Sequence, residues 1–163
     1  MCDHHEPSEN LPNAIAILDP KRIDCTYPFK ELCGCGVAFK FLQAYCLQTH
    51  QSFTNLFQHL DLVAVATIAD IVPIIDENRI LTYHGLQKIN ETPSFGLKAL
   101  MSLTSYEGDF NAMNVAFGIA PRINAAGRIK HASYAGQVLV SKTEEEATAD
   151  AKESDEVNQT RKE

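Results

Sequence analysis

Residues 60–69 (LDLVAVATIA) form the apolar run that most limits how this chain can fold. The periodicity of the run fits a buried helix or a buried strand, and Pro73 ends the element in either case. We predict a helix here. With 163 residues, 45% of them hydrophobic, the chain has the size and apolar content of one globular domain whose core could surround such an element.

The remaining pattern predicts one strand and several helices. Residues 14–18 (AIAIL), between Pro12 and Pro20, are short and apolar, which is typical of a buried strand in a parallel sheet. Apolar spacing, polar N-terminal residues and proline stops predict helices over residues 36–48, 54–59, 76–92 and 97–103, and another that Asp109 or Asn111 would cap. The predicted class is therefore α/β and rich in helices.

The end of the chain carries a clear helix start. Thr143 followed by Glu146 is a capping box, with further carboxylates in the first turn, and predicts a long polar helix from about Thr143 onward. Because its apolar residues are few, we expect this helix to bury little surface and to serve as a connector. The predicted organisation is one domain over residues 1–142 and the start of a connector over residues 143–163.

Charge and cysteine content narrow the function classes. A net charge of −7 argues against general electrostatic binding to a polyanion, although the acidity is concentrated near the C-terminus and leaves room for a local basic pocket. The five cysteines are odd in number and lack paired CxxC spacing, so we predict reduced thiols; a soft-metal site at Cys33 and Cys35 is the alternative. No apolar run approaches the roughly 20 residues of a membrane span, and we expect a cytoplasmic protein without membrane contact.

Asp3, His4 and His5 form the first candidate site. Adjacent imidazoles and a carboxylate, without a thiolate, favour manganese or a similar cation over structural zinc. The carboxylate could also orient a histidine ring through its N–H group. The alternative is a solvated loop.

Asp70 is the second candidate, because it interrupts the apolar stretch 67–73 (TIADIVP). A carboxylate in such a stretch is costly unless it is neutralised, paired or bound to a metal. The alternative is that Asp70 ends one element and caps the next turn.

Residues 121–128 (PRINAAGR) form the third candidate site. Arg122 and Arg128 surround Asn124 and several small residues, a layout that lets a phosphate approach the backbone while guanidinium groups hold its oxygens. The alternative is a helical turn whose arginines pair with surface carboxylates.

Together these motifs resemble a known family. In chain order they are DHH at residues 3–5, LCGCGVAFK at residues 32–40, LDLVAVATIADIVP at residues 60–73 and PRINAAGR at residues 121–128. This series is similar to the RecJ exonucleases of the DHH phosphoesterase superfamily. The resemblance implies a DHH-type parallel-sheet domain, of which this chain would be the C-terminal, helix-rich part.

The resemblance also implies roles for the candidate residues. His4 and Asp70 would be ligands of manganese or magnesium, with Asp3 as a further ligand and Asp3 and His5 as catalytic supports. Arg122, Asn124 and Arg128 would line the path of the DNA phosphates. The implied activity is 5′-to-3′ hydrolysis of single-stranded DNA, in repair or recombination.

The sequence also departs from that family pattern. RecJ-like proteins carry a D-x-D motif upstream of DHH and a further domain downstream, and neither is present in residues 1–163. We therefore expect this chain to be an internal fragment that is inactive alone, binds manganese weakly and could self-associate through exposed apolar surface. Two alternatives are a DHH phosphoesterase acting on small phosphates and a relative that binds DNA or protein partners without catalysis.

Overall fold

The computed structural model describes the backbone of residues 1–129 and 132–160, and the side chains of residues 1–125 and 136–156. The chain divides into two units, Met1–Gly85 and Leu86–Glu163, which are treated one at a time below. The described helices, in chain order, are α1 Gly34–Gln48, α2 Thr54–Phe57, α3 Leu60–Ala69, α4 Asp76–Glu91, α5 Phe95–Ser102, α6 Ala112–Asn114, a π-helical turn Val115–Ile119, α7 Ala120–Ile129, α8 Ala132–Leu139 and α9 Glu144–Thr160.

In the first unit, α3 is the buried element around which α1 packs. The helix predicted for residues 60–69 is confirmed with the same bounds, and six of its ten residues are buried. Helix α1 begins two residues earlier than predicted because Cys33 caps it, its sulfur accepting the N–H of Gly36 at 3.3 Å. The apolar core of this unit is formed by Leu32, Val37, Phe39, Leu56, Val63 and Leu81.

The strand predicted for residues 14–18 is wrong. Within the described residues, this segment forms a single parallel bridge, between Cys2 and Leu18, and Ile15 is fully exposed. The bridge is held by Leu18 N–H to Met1 O and by Asp3 N–H to Leu18 O, both at 2.9 Å. A strand requires a longer paired neighbour, and the described chain offers this segment only residues 1–3.

In the second unit, α9 packs against α5 and α7. Its Thr143 hydroxyl accepts the N–H of Glu146 at 3.2 Å, which confirms the predicted helix start, while the Glu146 carboxylate accepts the N–H of Lys142. The expectation that α9 buries little is wrong in one respect, because Ala147, Ala151 and Ser154 lie fully buried along one face. These residues are small, so the helices approach closely although little apolar area is available.

A π-helical turn precedes α7 and was not predicted. Of the two proposed caps, Asn111 is the one used: its side chain accepts the N–H groups of Met113 and Asn114. The helix then widens over Val115–Ile119 before it continues as α7. A π turn depends on the packing of the whole element, which residue preferences do not report.

Gly85 on α4 provides a test of the packing in the first unit. A Cβ at Gly85 would overlap the carbonyl oxygen of Leu60 and the Cβ of Ala64, both on α3. We therefore expect Gly85→Ala to lower the free energy of unfolding by about 1–3 kcal/mol, the usual cost of overpacking. Urea denaturation measures this change.

Gly136→Ala on α8 is the matched control, because apart from its own helical turn no atom of the described residues lies within 4 Å of a Cβ there. The added methyl group should raise stability by up to about 1 kcal/mol through helix propensity. Equal effects of the two substitutions would contradict the described contact between α3 and α4.

Candidate metal centre

The structure brings His4 and Asp70 together, although they lie far apart in sequence. His4 Nε2 lies 3.2 Å from Asp70 Oδ2, and the two side chains are 15% and 40% exposed. His4 follows residues 1–3, the segment that pairs with Leu18, and Asp70 is the C-cap of α3. The two predicted metal ligands therefore face each other at the surface of the first unit.

Asp3 orients the histidine pair. Its Oδ1 accepts the backbone N–H groups of His4, at 2.7 Å, and of His5, at 3.2 Å, and lies 2.8 Å from the ring Nδ1 of His5. The His5 ring first, and then the two backbone groups, lower the pKa of Asp3 to about 2. Since the Asp3 carboxylate can only accept, a neutral His5 ring that bonds to it carries its proton on Nδ1.

The glycine at the start of α1 lies against His4. A Cβ added at Gly34 would be 3.4 Å from His4 Cδ2, so the ring rests on the first turn of this helix. Cys33, the cap of that turn, has its sulfur 3.5 Å from the hydroxyl of Thr67 on α3. The LCGCG motif thus forms the support behind the DHH motif.

The alternative soft-metal site at Cys33 and Cys35 does not fit the structure. Cys33 is buried and its sulfur serves as the cap of α1. Burial first, and then the neighbouring Cys33 and Asp61, raise the pKa of the Cys35 thiol to about 11, so it stays protonated at neutral pH. Among the described residues, no third His, Cys, Asp or Glu side chain joins the two cysteines to hold a metal.

His4 and Asp70 have the chemistry and spacing of two ligands of one hard cation. Two neighbouring ligands of an octahedral ion, each about 2.1 Å from it, are about 3 Å apart. The 3.2 Å between His4 Nε2 and Asp70 Oδ2 matches this separation, and a nitrogen and oxygen pair suits manganese or magnesium. In the part of the chain that the structure describes, no group of three or more His, Cys, Asp or Glu side chains is arranged for a metal.

Two buried polar residues in the same unit were not predicted from the sequence. Asp61 is completely buried in α3, and its Oδ1 accepts the N–H of Leu62 at 2.8 Å. The argument about a buried charge, which was applied to Asp70, describes Asp61 better. Asn78 on α4 is also completely buried, although its surroundings in the sequence are polar, so sequence alone gave little sign of it.

Arg122 does not form the predicted solvent-accessible phosphate fork. Its Nε lies 2.7 Å from Asp155 Oδ1 on α9, at ion-pair distance, and both side chains are only 15% exposed. Its two terminal nitrogens donate to the carbonyl oxygens of Gly118, at 2.6 Å, and Leu103, at 2.8 Å. The prediction failed because α9 packs against α7 and brings Asp155 next to Arg122, a contact that the local motif cannot reveal.

The other two residues of the PRINAAGR motif have different positions. Asn124 is exposed on α7, two positions from Arg122 and therefore on another face of the helix. The Arg128 side chain lies outside the described residues. The structure therefore does not bring Arg122 and Asn124 together, and a phosphate contact by Asn124 or Arg128 stays a prediction.

The chain is similar to known proteins over nearly its whole length. Residues 1–67 match the DHH family, N-terminal domain. The chain is 44% identical over 162 residues to the single-stranded-DNA-specific exonuclease RecJ of Bacillus subtilis, covering 99% of this chain and 20% of that protein. It is 38% identical to the Escherichia coli RecJ over 174 residues, covering 100% of this chain and 30% of that protein. The chain thus spans less than a third of either curated relative.

Solved structures give the same result. A crystal structure of exonuclease RecJ bound to manganese superposes with a TM-score of 0.85 at 36% identity, covering 99% of this chain and 40% of the other. RecJ of Thermus thermophilus in complex with Mn²⁺ gives a TM-score of 0.84 at 35% identity, covering 98% of this chain and 24% of the other.

Among the described helices, none is long and apolar enough to cross a membrane.

Arg122 provides a test of its internal role. We expect Arg122→Ala to lower the free energy of unfolding by about 3 kcal/mol, because it leaves the buried carboxylate of Asp155 without this partner. Arg79→Ala removes an exposed arginine on α4 and should change stability by less than about 0.5 kcal/mol. Urea denaturation of both variants measures the difference, and equal stabilities would refute an internal role for Arg122.

Proposed function

Since this chain belongs to the RecJ-type members of the DHH family, we propose that it supplies part of the metal centre of an exonuclease specific for single-stranded DNA. The observation that carries this proposal is the 3.2 Å contact between His4 Nε2 and Asp70 Oδ2. An imidazole nitrogen and a carboxylate oxygen at this spacing would supply two of the six ligand positions of an octahedral hard cation. The proposed reaction is hydrolysis of phosphodiester bonds from the 5′ end.

Three residues of the chain would hold the cation. His4 and Asp70 would be ligands through the two atoms that already face each other, and the ionised Asp3, whose Oδ1 accepts the backbone N–H of His4, is the candidate for a third ligand. When bound, manganese or magnesium would supply positive charge that stabilises the negatively charged phosphodiester oxygens, and it would lower the pKa of a water. As a ligand, His4 would bind the cation through an unprotonated Nε2.

His5 is the candidate for proton transfer. Its Nδ1 faces the ionised Asp3 at 2.8 Å, and its side chain is largely exposed. With the proton held on Nδ1, a neutral His5 ring leaves Nε2 as an acceptor. This arrangement suits a group that takes a proton from an attacking water or returns one to a leaving oxygen, with Asp3 fixing the tautomer.

Residues 1–163 alone are proposed to be inactive on DNA and to bind manganese weakly. A two-metal centre needs several carboxylates to hold two cations near each other against their repulsion. The described residues bring together only two candidate ligand atoms, His4 Nε2 and Asp70 Oδ2. The activity therefore belongs to a protein of the length of the relatives.

DNA contacts and organisation complete the proposal. Asn124, exposed on α7, and Arg128 are the candidates for phosphate contact, whereas Arg122 is an internal anchor.

The domain organisation is also part of the proposal. The bridge between Cys2 and Leu18 would extend into a parallel sheet in a longer chain, with residues 1–142 in the DHH domain and 143–163 beginning a connector. Function in cytoplasmic repair or recombination follows from the proposed substrate, and exposed apolar side chains such as Ile15 and Ile23 could support self-association.

A chimera tests the proposed function directly. This chain would replace the matching segment of the Bacillus subtilis relative, which is 44% identical over 162 residues. We expect the chimera to release nucleotides from 5′-labelled single-stranded DNA with manganese, and His4→Ala or Asp70→Asn to lower the rate at least about 100-fold by removing a ligand. Activity is measured against single-stranded and blunt duplex substrates.

His59→Ala is the matched control, because this exposed histidine precedes α3 and makes no side-chain capping hydrogen bond. It should leave the rate of the chimera within about twofold. An active chimera that keeps half its rate after His4→Ala would disprove the proposed ligand.

A further inference from the structure

The loop between α3 and α4 holds Asp70 through a strained backbone. Ile71 follows Asp70 directly and has φ 58°, in the left-handed region, and Asp76 at the other end of the loop has φ 41°. A β-branched residue with this φ is a real outlier. The Ile71 side chain is 90% exposed, so burial of this side chain does not offset the strain. Other contacts must therefore hold the loop in this conformation.

Asn78, in the first turn of α4, makes those contacts. Its Nδ2 donates to the carbonyl oxygen of Pro73 at 2.9 Å and to that of Glu31 at 2.6 Å. Both partners are acceptors, so the amide nitrogen, and not its oxygen, has to face them. The side chain is completely buried, and its Oδ1 has no hydrogen-bond partner within the described part of the chain.

The two carbonyl groups belong to the segments on either side of the candidate metal centre. Pro73 lies three residues after Asp70, within the strained loop. Glu31 lies three residues before Gly34, whose backbone supports the His4 ring. One buried amide group therefore fixes the segment that carries Asp70 to the segment on which His4 rests.

We propose that Asn78 is a positioning residue that holds the Asp70 carboxylate opposite His4 Nε2. Its contribution to metal binding rests on the function proposed above, whereas its effect on the metal-free His4–Asp70 contact does not. Without Asn78, the loop relaxes from the left-handed turn at Ile71 and Asp70 moves away from His4. The metal ligands then have to be brought together during binding, which lowers the affinity.

The variant Asn90→Ala is the control that distinguishes a positioning role of Asn78 from general stabilisation of α4. Asn90 lies on the same helix and also makes two amide hydrogen bonds, to the carbonyl oxygen of Phe110 at 3.0 Å and from the Phe110 N–H at 2.7 Å. These bonds do not involve the loop or the segment before α1. Asn90→Ala therefore removes a similar pair of hydrogen bonds and leaves the positions of Asp70 and His4 unchanged.

The experiment compares Asn78→Ala and Asn90→Ala in the full chain at one fixed pH. The ¹⁵N resonance of His4 Nε2 in the metal-free protein reports its contact with Asp70, and a Mn²⁺ titration followed by electron paramagnetic resonance gives the affinity. Asn78→Ala should shift the His4 resonance and weaken Mn²⁺ binding about 10-fold, as expected for loss of a residue that orients a ligand. Asn90→Ala should lower the melting temperature without either change.

An unshifted His4 resonance in folded Asn78→Ala, or the same shift in Asn90→Ala, would overturn the proposal. Should Asn78→Ala not fold, Asn78→Ser keeps one donor and should give an intermediate shift; an unchanged resonance there overturns the proposal as well. A wild-type chain that does not bind Mn²⁺ would reject the proposed metal centre, and the metal-free resonance would still decide the role of Asn78.

Discussion

The contact between His4 and Asp70 is the interaction on which the proposed chemistry depends, and packing on both sides maintains it. His4 rests on Gly34 at the start of α1, and Asp70 ends α3. The two helices meet near these ends, where Cys33 lies 3.5 Å from Thr67. Since both elements are anchored in the core of the first unit, the two candidate ligands are placed before any cation binds, which reduces the cost of ordering them.

The second unit shows how an arginine motif can be used for structure. Arg122 Nε lies at ion-pair distance from Asp155 on α9, and its two terminal nitrogens donate to the carbonyl oxygens of Gly118 and Leu103, so the side chain connects α7 to α9 and to the end of α5. A guanidinium group whose nitrogens face internal carbonyl and carboxylate oxygens has little capacity left to bind a phosphate. The proposed DNA contacts therefore fall to other residues of the same motif, of which Asn124 is exposed.

Local signals predicted most helices, and contacts distant in sequence explain the failures. The apolar run at Leu60–Ala69 and the capping residues at Thr143 and Asn111 act within a few positions, so these elements were found. The strand at residues 14–18 and the π turn at Val115–Ile119 depend on neighbouring segments, and were predicted wrongly or missed. Burial of α9 was underestimated because alanine contributes little to an apolar count but allows close packing.

The sequence predicted residues of the candidate site more successfully than the physical reasons for their positions. The apolar stretch around Asp70 predicts a buried charge, yet the Asp70 side chain is 40% exposed and Asp61 is the buried carboxylate. Arg122 matched a phosphate-binding pattern, but its partner Asp155 lies on a helix that the motif does not include. Asn78 was missed because its importance comes from two backbone carbonyl groups that only the folded chain brings to it.

The central claim is that one divalent cation binds between His4 Nε2 and Asp70 Oδ2. Anomalous diffraction at the manganese absorption edge, from crystals of this chain soaked in Mn²⁺, tests that claim most directly. The account predicts a peak within about 2.3 Å of both atoms, with Asp3 beside it. A saturating soak that gives no peak there, or a peak held by other residues while His4 and Asp70 remain paired with each other, would contradict it.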